Sequence, residues 1–447
     1  MGVPRLRTYF VETWGCQMNV LDSQILEGQL QARGLEAAAT AEGADVALLN
    51  TCSVREKAVH KVLSRLGELR EAKHKGGLPR IVGVCGCVAE QEGSEMLGRS
   101  SVVDFVLGPG RIAELGQVLD AVVSGQRATA TGFAASRDID AHLVARGDRA
   151  RQFVTVVHGC NQHCTFCVVP YTRGHERSRP LADVVAEARH LAAVGVKEVT
   201  LLGQTVNAYR CPATGAGFAE LLEEVCAIAG PWRIQFLTSH PKYFTDKMIR
   251  TLSELPRLGR YLHIPVQSGS TAVLKRMHRG YTREEYLDLI ARLRAALPET
   301  TLSTDVIVGF PGESDEQFAE TLALAAEVRF AQLFAFAFSP RPRTPAARYG
   351  DRVSRTDAKS RLAELFALQA AIRIDLNRAR IGRVVEVLVD GPAKRGERLW
   401  QGRGDDNRVV NFSHDGPVAP GDLVAVRVTG ATAHSLLGRA TDTSSGA

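Results

Sequence analysis

Cysteines stand at the ends of four apolar segments of this chain, each of which is typical of a β-strand. The strands expected at residues 8–14, 45–50 and 81–86 lead into Cys16, Cys52 and Cys87, and a strand at 152–158 leads into Cys160, Cys164 and Cys167. Helical patterns at about 22–33 and 54–73 separate the first three strands. This alternation predicts a parallel sheet with helices on both faces. Because the carboxyl ends of parallel strands meet at one edge, three distant cysteines are expected to converge there.

The run His-Gly-Cys-Asn-Gln-His-Cys-Thr-Phe-Cys at 158–167 has the spacing C-x3-C-x2-C. Three thiolates can hold three irons of a four-iron cluster, whereas a structural metal site normally closes with four ligands. The fourth iron would then be open to a substrate or cofactor. Two alternatives are three buried apolar cysteines, or a zinc site that His158 or His163 completes.

Cys16, Cys52 and Cys87 form a second candidate three-thiolate site, because all three emerge at the same sheet edge. The alternative is that they are buried apolar residues, a common role for cysteines at strand ends. Cys85 lies two residues before Cys87 and is expected on the same face, so spacing alone does not choose between them. Cys211 and Cys226 match no ligand spacing and stay unassigned.

The composition is that of a large globular protein, with 45% apolar and 23% charged residues in 447. Its nine cysteines are odd in number and clustered, which favours ligation over a disulfide framework and predicts a reducing, cytoplasmic compartment. No apolar run approaches the roughly 20 residues of a membrane span, and the N-terminus lacks a signal core. The net charge of +6 is compatible with a nucleic-acid partner.

The rest of the chain predicts a linker and two further domains. Residues 131–151 lack periodicity, and beyond them six strands are expected at about 152–158, 198–203, 233–238, 261–266, 302–309 and 333–338. With helices in most gaps, these fit a partial (βα)6 barrel, whose functional groups gather at the carboxyl ends of its strands. After a helix at about 355–379, short β-type runs predict a small antiparallel barrel. The expected domains are 1–130, 152–378 and 379–441.

The C-x3-C-x2-C run, with Phe166 before its last cysteine, closely resembles the radical S-adenosylmethionine (SAM) enzymes. The segments around Cys16, Cys52 and Cys87 resemble the N-terminal domain of the methylthiotransferases, a radical SAM subfamily, and residues 380–440 resemble the RNA-binding TRAM domain. The resemblance implies a flavodoxin-like domain, a radical SAM barrel, SAM as a cofactor and two 4Fe-4S clusters. It assigns the catalytic cluster to Cys160, Cys164 and Cys167, and the second to Cys16, Cys52 and Cys87 rather than Cys85.

Polar residues with family-like surroundings follow the barrel strands. The candidate SAM or substrate contacts are Phe166, Gln204, Ser239, Gln267, Ser268 and Glu313. Amide and hydroxyl groups at strand ends can satisfy the carboxylate, amine, ribose and adenine of SAM. Glu313 has a second interpretation, as an acid in the first turn of a helix that starts near Asp315.

Three further residues invite interpretation. Arg173, after the cluster loop, is a candidate partner for a carboxylate or a phosphate, and His240 is either a site residue or a hydrogen-bonded loop residue. Arg343 stands where the family usually has glycine. If that glycine permits a tight turn, Arg343 is expected to adopt another conformation. Alternatively, it adds positive charge near the RNA path.

The string Gly-Cys-Gln-Met-Asn at 15–19 resembles the methylthiotransferases that act on isopentenylated adenosine. The resemblance implies methylthiolation of C2 of N6-isopentenyladenosine at position 37, in the tRNA anticodon loop, with an electron donor protein and a sulfur donor as further partners. Related alternatives are methylthiolation of threonylcarbamoyladenosine in tRNA or of a ribosomal protein aspartate. From another class, the chain would be a non-catalytic, zinc-dependent RNA-binding protein. A basic patch that could track phosphates comprises Lys394, Arg395, Arg398 and Arg403.

Overall fold

The N-terminal apolar runs form a six-stranded, wholly parallel sheet in the order β2-β1-β3-β4-β5-β6. The computed structural model describes residues 5–53, 56–134, 144–145, 150–230, 233–394, 396 and 399–441. The strands are β1 Thr8–Trp14, β2 Glu36–Ala37, β3 Val46–Thr51, β4 Ile81–Gly86, β5 Phe105–Leu107 and β6 Ala128–Ala130, and the helices are α1 Gln17–Ala32, α2 Glu56–Gly76, α3 Cys87–Glu92, α4 Ser94–Arg99 and α5 Leu115–Val123. This confirms the predicted flavodoxin-like sheet, whose usual strand order it follows.

Helices cover both faces of this sheet, as the near-continuous apolar strands require. The helices α1 and α5 bury one face with leucines such as Leu26 and Leu119. On the other face, α2, α3 and α4 contribute Leu69, Val88 and Met96. Most of the predicted linker, at 135–143 and 146–149, lies outside the described residues.

The central domain contains all six predicted parallel strands. Its elements are β7 Arg151–Thr155, β8 Val157–His158, α6 Val169–Arg173, β9 Arg177–Ser178, α7 Leu181–Ala193, β10 Glu198–Leu202, α8 Phe218–Cys226, β11 Arg233–Phe236, α9 Asp246–Glu254, β12 Tyr261–His263, α10 Thr271–Arg276, α11 Arg283–Ala296, β13 Thr301–Val308, α12 Asp315–Val328, β14 Gln332–Ala337 and α13 Arg355–Arg378. The strands pair in two groups, β7-β10-β11 and β12-β13-β14, and a single parallel bridge at Ile234 leads from the first group toward the second. The helices pack outside them around one apolar core, so the strand ends open at one mouth.

The C-terminal residues close into a five-stranded barrel in the order β15-β16-β17-β19-β18. The strands are β15 Val384–Pro392, β16 Leu399–Gly404, β17 Val409–Ser413, β18 Leu423–Ala431 and β19 Leu436–Ala440. The expected small barrel is confirmed, and four of its five strand pairings are antiparallel, whereas β17 and β19 run parallel. Five is an odd number, so strand directions cannot alternate all the way around a closed barrel.

The two outer domains contact opposite ends of the central barrel. The N-terminal domain reaches the mouth, where α3 packs against α6. The C-terminal barrel lies at the amino ends of the strands, where Arg151 at the start of β7 pairs with Asp390 and Arg408 donates to Thr301 at the start of β13. Among the described helices, none combines the length and apolar character needed to cross a membrane.

Candidate functional site

Cys160, Cys164 and Cys167 lie in the loop between β8 and α6, at the mouth of the barrel. The Cys160 Sγ accepts a hydrogen bond from the Gln162 backbone N–H at 3.3 Å and contacts the Thr205 hydroxyl at 3.4 Å. Burial, together with the charges of the other two thiols, raises the pKa of Cys167 to about 12, and burial also raises that of Cys160. The three thiols therefore interact, and their thiolates require positive charge or a metal to be stable.

Arg279 supplies positive charge at this triad. It is 7% exposed, and its Nη1 donates to the Cys164 Sγ at 3.3 Å while its Nε donates to the Tyr281 hydroxyl at 3.0 Å. Within the described part of the chain, its guanidinium pairs with no carboxylate. Sequence reasoning missed Arg279, because an arginine in the turn after α10 resembles a solvated charge.

Cys16, Cys52 and Cys87 come together at the carboxyl edge of the first sheet, as the strand pattern predicts. Cys16 precedes α1, Cys52 follows β3 and Cys87 begins α3. The Cys52 thiol lies within hydrogen-bonding distance of both other thiols, which lowers the pKa of Cys16 and Cys87 and raises that of Cys52. These three side chains thus form one interacting group.

Cys85 does not belong to this group, and the expectation that it shares a face with Cys87 is wrong. Gly86 between them has φ +86°, and the chain turns there from strand β4 into helix α3. Alternation along a strand therefore ends before Cys87. Cys85 is 2% exposed in the apolar core that α1 and α5 cover, and burial raises its pKa. The ligand role of Cys87 is still a prediction, but only Cys87 of the two lies beside Cys52.

A pair of asparagines, Asn19 and Asn50, holds the segment around Cys16 in place by hydrogen bonds. The Asn19 Oδ1 accepts hydrogen bonds from the Cys16 backbone N–H and thiol, each at 3.4 Å, and its Nδ2 donates to Asn50 at 3.3 Å. The Asn50 Nδ2 donates in turn to the Asn19 carbonyl and the Ser23 hydroxyl. Both asparagines are fully buried, so this network fixes the start of α1 relative to the end of β3.

Arg173 connects the two groups of thiols. It ends α6, just after the Cys160–Cys167 loop, but its Nη2 donates to the Asp22 carboxylate of α1 at 2.7 Å. Its positive charge helps to lower the pKa of Cys16 and Cys87. Of the two partners expected for Arg173, a carboxylate or a phosphate, the structure contains the carboxylate.

The candidate SAM contacts differ in whether their side chains already have partners within the protein. The Gln204 Oε1 is buried without a hydrogen-bond partner among the described residues, whereas the Ser239 Oγ donates to the His263 carbonyl. Gln267 has φ +74° and bonds through its backbone to β13. Phe166 packs edge-to-face on Phe310 at 6.5 Å between ring centroids. Gln204 therefore has an acceptor to offer, and the SAM contacts remain predictions.

Ser268 and Glu313 make structural contacts. Ser268 is fully buried, with its Oγ 3.4 Å from the Thr321 hydroxyl of α12. The Glu313 carboxylate accepts the Gly309 N–H at 2.6 Å and pairs with Arg361 at 2.7 Å. The helix α12 does begin at Asp315, as expected. Glu313 thus ties the turn after β13 to helix α13, and a contact with SAM is still a prediction.

His240 has a free donor at the mouth. Its Nδ1 accepts the Lys242 backbone N–H at 3.3 Å, and its Nε2 is buried without a hydrogen-bond partner among the described residues. Burial lowers the pKa of His240 to about 3. The imidazole is therefore neutral near pH 7, and because Nδ1 is an acceptor, the proton is on Nε2.

Arg343, at the position where the family pattern usually has glycine, adopts a left-handed backbone conformation that favours glycine. Its φ is +68° and its side chain is exposed. Burial raises the pKa of Glu90 on α3, and the positive charge of Arg343 opposes this rise. Arg343 therefore adds positive charge near α3, and its position near an RNA path stays a prediction.

Strain at Arg343 leads to a stability prediction. Left-handed backbone costs a non-glycine residue about 1–2 kcal/mol. We expect Arg343→Gly to have a free energy of unfolding about 1 kcal/mol above that of Arg343→Ala, which removes the same side chain but keeps the strain. Urea unfolding of both variants measures the difference. Equal stabilities would show that this turn relaxes in solution.

The zinc alternative needs a closed set of ligands around one ion. In the part of the chain that the structure describes, no group of three or more His, Cys, Asp or Glu side chains is arranged to hold a single metal ion. A site completed by His158 or His163 therefore has no support from these residues.

Comparisons with known families match each part of the chain. The Radical SAM superfamily matches residues 154–325, the Uncharacterized protein family UPF0004 matches 8–108, and the TRAM domain matches 378–441. A relative from Anaeromyxobacter dehalogenans is 48% identical over 97% of this chain and 94% of its own length, and one from Geobacter metallireducens is 44% identical over 96% and 97%. Both are named tRNA-2-methylthio-N(6)-dimethylallyladenosine synthase.

Solved structures share the fold at low sequence identity. The radical SAM methyltransferase TsrM from Kitasatospora setae has a TM-score of 0.54 and 16% identity, over 77% of this chain and 75% of its own. The cobalamin-dependent radical SAM enzyme OxsB has a TM-score of 0.54 and 12% identity, over 82% of this chain and only 56% of its own. At these identities, the likeness extends to the fold alone.

Proposed function

This chain belongs to the tRNA-2-methylthio-N(6)-dimethylallyladenosine synthases, and we propose that it transfers a methylthio group to C2 of N6-isopentenyladenosine at position 37 of tRNA. The observation that carries the proposal is the pairing of two three-thiol sites across one domain interface, linked by Arg173. A radical SAM enzyme with a single three-thiol site has no evident place for the sulfur. Two facing sites allow a base to lie between them.

The residues present fit two 4Fe-4S clusters and SAM. In this proposal, Cys160, Cys164 and Cys167 hold the cluster that binds SAM, and Cys16, Cys52 and Cys87 hold the other. When bound, these groups would supply radical chemistry for an unactivated aromatic C–H bond and a place for the sulfur that replaces its hydrogen. The fit is supported by Arg279, a buried cation without a carboxylate partner in the described residues, and by the unsatisfied Gln204 Oε1.

The protein's own groups fix charge and exclude water at the mouth. Arg279 donates a hydrogen bond to the Cys164 Sγ, and Cys160 and Cys164 are each 7% exposed. Neutral His240 offers an N–H and Gln204 offers an amide oxygen. These two groups suit the carboxylate and amine of SAM, respectively.

The C-terminal barrel, which matches the TRAM domain, supports an RNA substrate. A base in a single-stranded loop can be splayed into a pocket at modest cost. Of the predicted basic patch, Arg395 and Arg398 lie outside the described residues, Lys394 is exposed and Arg403 bonds to Asn407. We further propose an electron donor protein, a sulfur donor and a cytoplasmic location, since the thiolates require a reducing compartment.

Nucleoside mass spectrometry of tRNA tests the substrate. In a strain that lacks this protein, we expect the 2-methylthio group to disappear and N6-isopentenyladenosine to accumulate. Complementation with the wild-type gene should restore the modification, and complementation with Cys160→Ala should not. If 2-methylthio-N6-isopentenyladenosine persists in the deletion strain, or if threonylcarbamoyladenosine loses its methylthio group instead, the proposed substrate is wrong.

A further inference from the structure

Arg173 follows the Cys160–Cys167 loop in the sequence, but its side chain lies against the N-terminal domain, near the group formed by Cys16, Cys52 and Cys87. It follows Cys167 by six residues, at the end of α6. Its side chain is 5% exposed and is paired with the 3% exposed side chain of Asp22, on the helix that Cys16 precedes. The helix α6 packs against α3, the first residue of which is Cys87.

The guanidinium of Arg173 has an unused donor at this site. Its Nη2 donates to Asp22, but its Nη1 is buried without a hydrogen-bond partner among the described residues. A buried N–H without an acceptor is destabilising, and the cost is greater for a charged group. The sulfur atoms of the first-domain triad are the candidate acceptors, because α6 packs against α3, which begins at Cys87, and Asp22 lies on α1, which Cys16 precedes.

We propose that Arg173 is a positioning residue for the cluster held by Cys16, Cys52 and Cys87, to which its Nη1 donates a hydrogen bond at a sulfur atom. The inference rests on the proposed function only in assuming a four-iron cluster at that triad. Contact with an RNA phosphate is excluded for this side chain, because it is buried and already paired. The loop that binds one cluster thus sets the charge around the other.

The inference predicts how the reduction potential responds to charge. Cationic N–H groups beside an iron–sulfur cluster favour its reduced, more negative state. Removing the charge with Arg173→Met should lower the equilibrium constant for one-electron reduction at least tenfold, or about 59 mV. Arg173→Lys, which keeps the charge but loses the planar fork, should fall between this variant and the parent. Asp22→Asn should shift the potential upward, because it leaves the arginine charge uncompensated.

The experiment uses the full chain carrying Cys160→Ala, Cys164→Ala and Cys167→Ala, so that only the first-domain cluster is present. Redox titration followed by electron paramagnetic resonance gives its potential in each variant. Arg279→Met is the matched control, because it removes an equally buried arginine beside Cys164. It should leave the measured potential unchanged.

Opposite shifts in Arg173→Met and Asp22→Asn would support the inference, because a merely structural role gives no reason for opposite signs. If Arg173→Met assembles no cluster, Arg173→Lys and Asp22→Asn decide, and potentials equal to the parent's in both would overturn it. An unshifted potential in Arg173→Met would also overturn it. Failure of the parent itself to assemble about four irons would instead contradict the proposed two-cluster function.

Discussion

Cys160→Ala should reduce the release of 5′-deoxyadenosine from SAM to the level of a protein-free control. The alanine removes one of three thiolates that interact at the barrel mouth, and the described residues there include no spare cysteine to replace it. The thiols of the first domain do not depend on this side chain, so their cluster should still assemble. The iron content is expected to fall from about eight to about four per chain. Anaerobic reconstitution, iron analysis and chromatography of the nucleoside products measure both effects.

Cys226→Ala is the control for this variant. Cys226 is likewise a buried cysteine of the barrel domain, but it lies in the apolar core on α8, away from the mouth. It should retain about eight irons and continue to cleave SAM. Continued release of 5′-deoxyadenosine by Cys160→Ala would contradict the assignment of the catalytic cluster. Zinc with no iron in the wild-type protein would contradict the enzyme function altogether.

Cys87→Ala should abolish methylthiolation of tRNA while leaving SAM cleavage intact. It removes a thiol that contacts Cys52 in the first-domain group, so the iron content should drop to about four. Because the C-x3-C-x2-C site is complete without it, 5′-deoxyadenosine should still form in the absence of methylthiolated product. Mass spectrometry of the tRNA and chromatography of the SAM products test the two activities separately.

Cys85→Ala provides a control only two residues away. Its side chain lies in the core beneath α1 rather than beside Cys52, so this variant should retain about eight irons and normal product formation. The small cavity should lower the free energy of unfolding by about 1 kcal/mol. The reverse pattern, with the first-domain cluster lost in Cys85→Ala and kept in Cys87→Ala, would show that Cys85 is the ligand.

Sequence patterns predicted those strands and helices whose conformation depends mainly on neighbouring residues in the chain. The strands β1 and β4 match their expected bounds, because long apolar runs between turn residues leave little choice of conformation. The three-residue strands β5 and β6 were not predicted, since they are too short to show a period. The parallel pair β17 and β19 depends on closure of the whole barrel, which no local pattern contains.

The site shows the same division between local and non-local information. Convergence of Cys16, Cys52 and Cys87 follows from the rule that parallel strands share an edge. The choice of Cys87 over Cys85 depends on the φ of Gly86, and the importance of Arg279 depends on its burial beside Cys164. Neither the sign of φ at a residue nor the burial of a side chain can be read from a single sequence, because both depend on contacts between distant segments.

The helix α13 spans the distance between the mouth of the central barrel and the C-terminal barrel. Its first turns meet the strand ends at the mouth, where Arg361 pairs with Glu313, and its last turn reaches the C-terminal barrel, where Asn377 donates to the Thr432 carbonyl. With 24 residues, it measures about 36 Å. At roughly 3.4 Å per stacked nucleotide, a free nucleoside or a short oligomer cannot touch both ends at once. An RNA of about eleven stacked nucleotides or more would be needed to touch both ends, so this distance sets a minimum length for any RNA that contacts the mouth and the C-terminal barrel together.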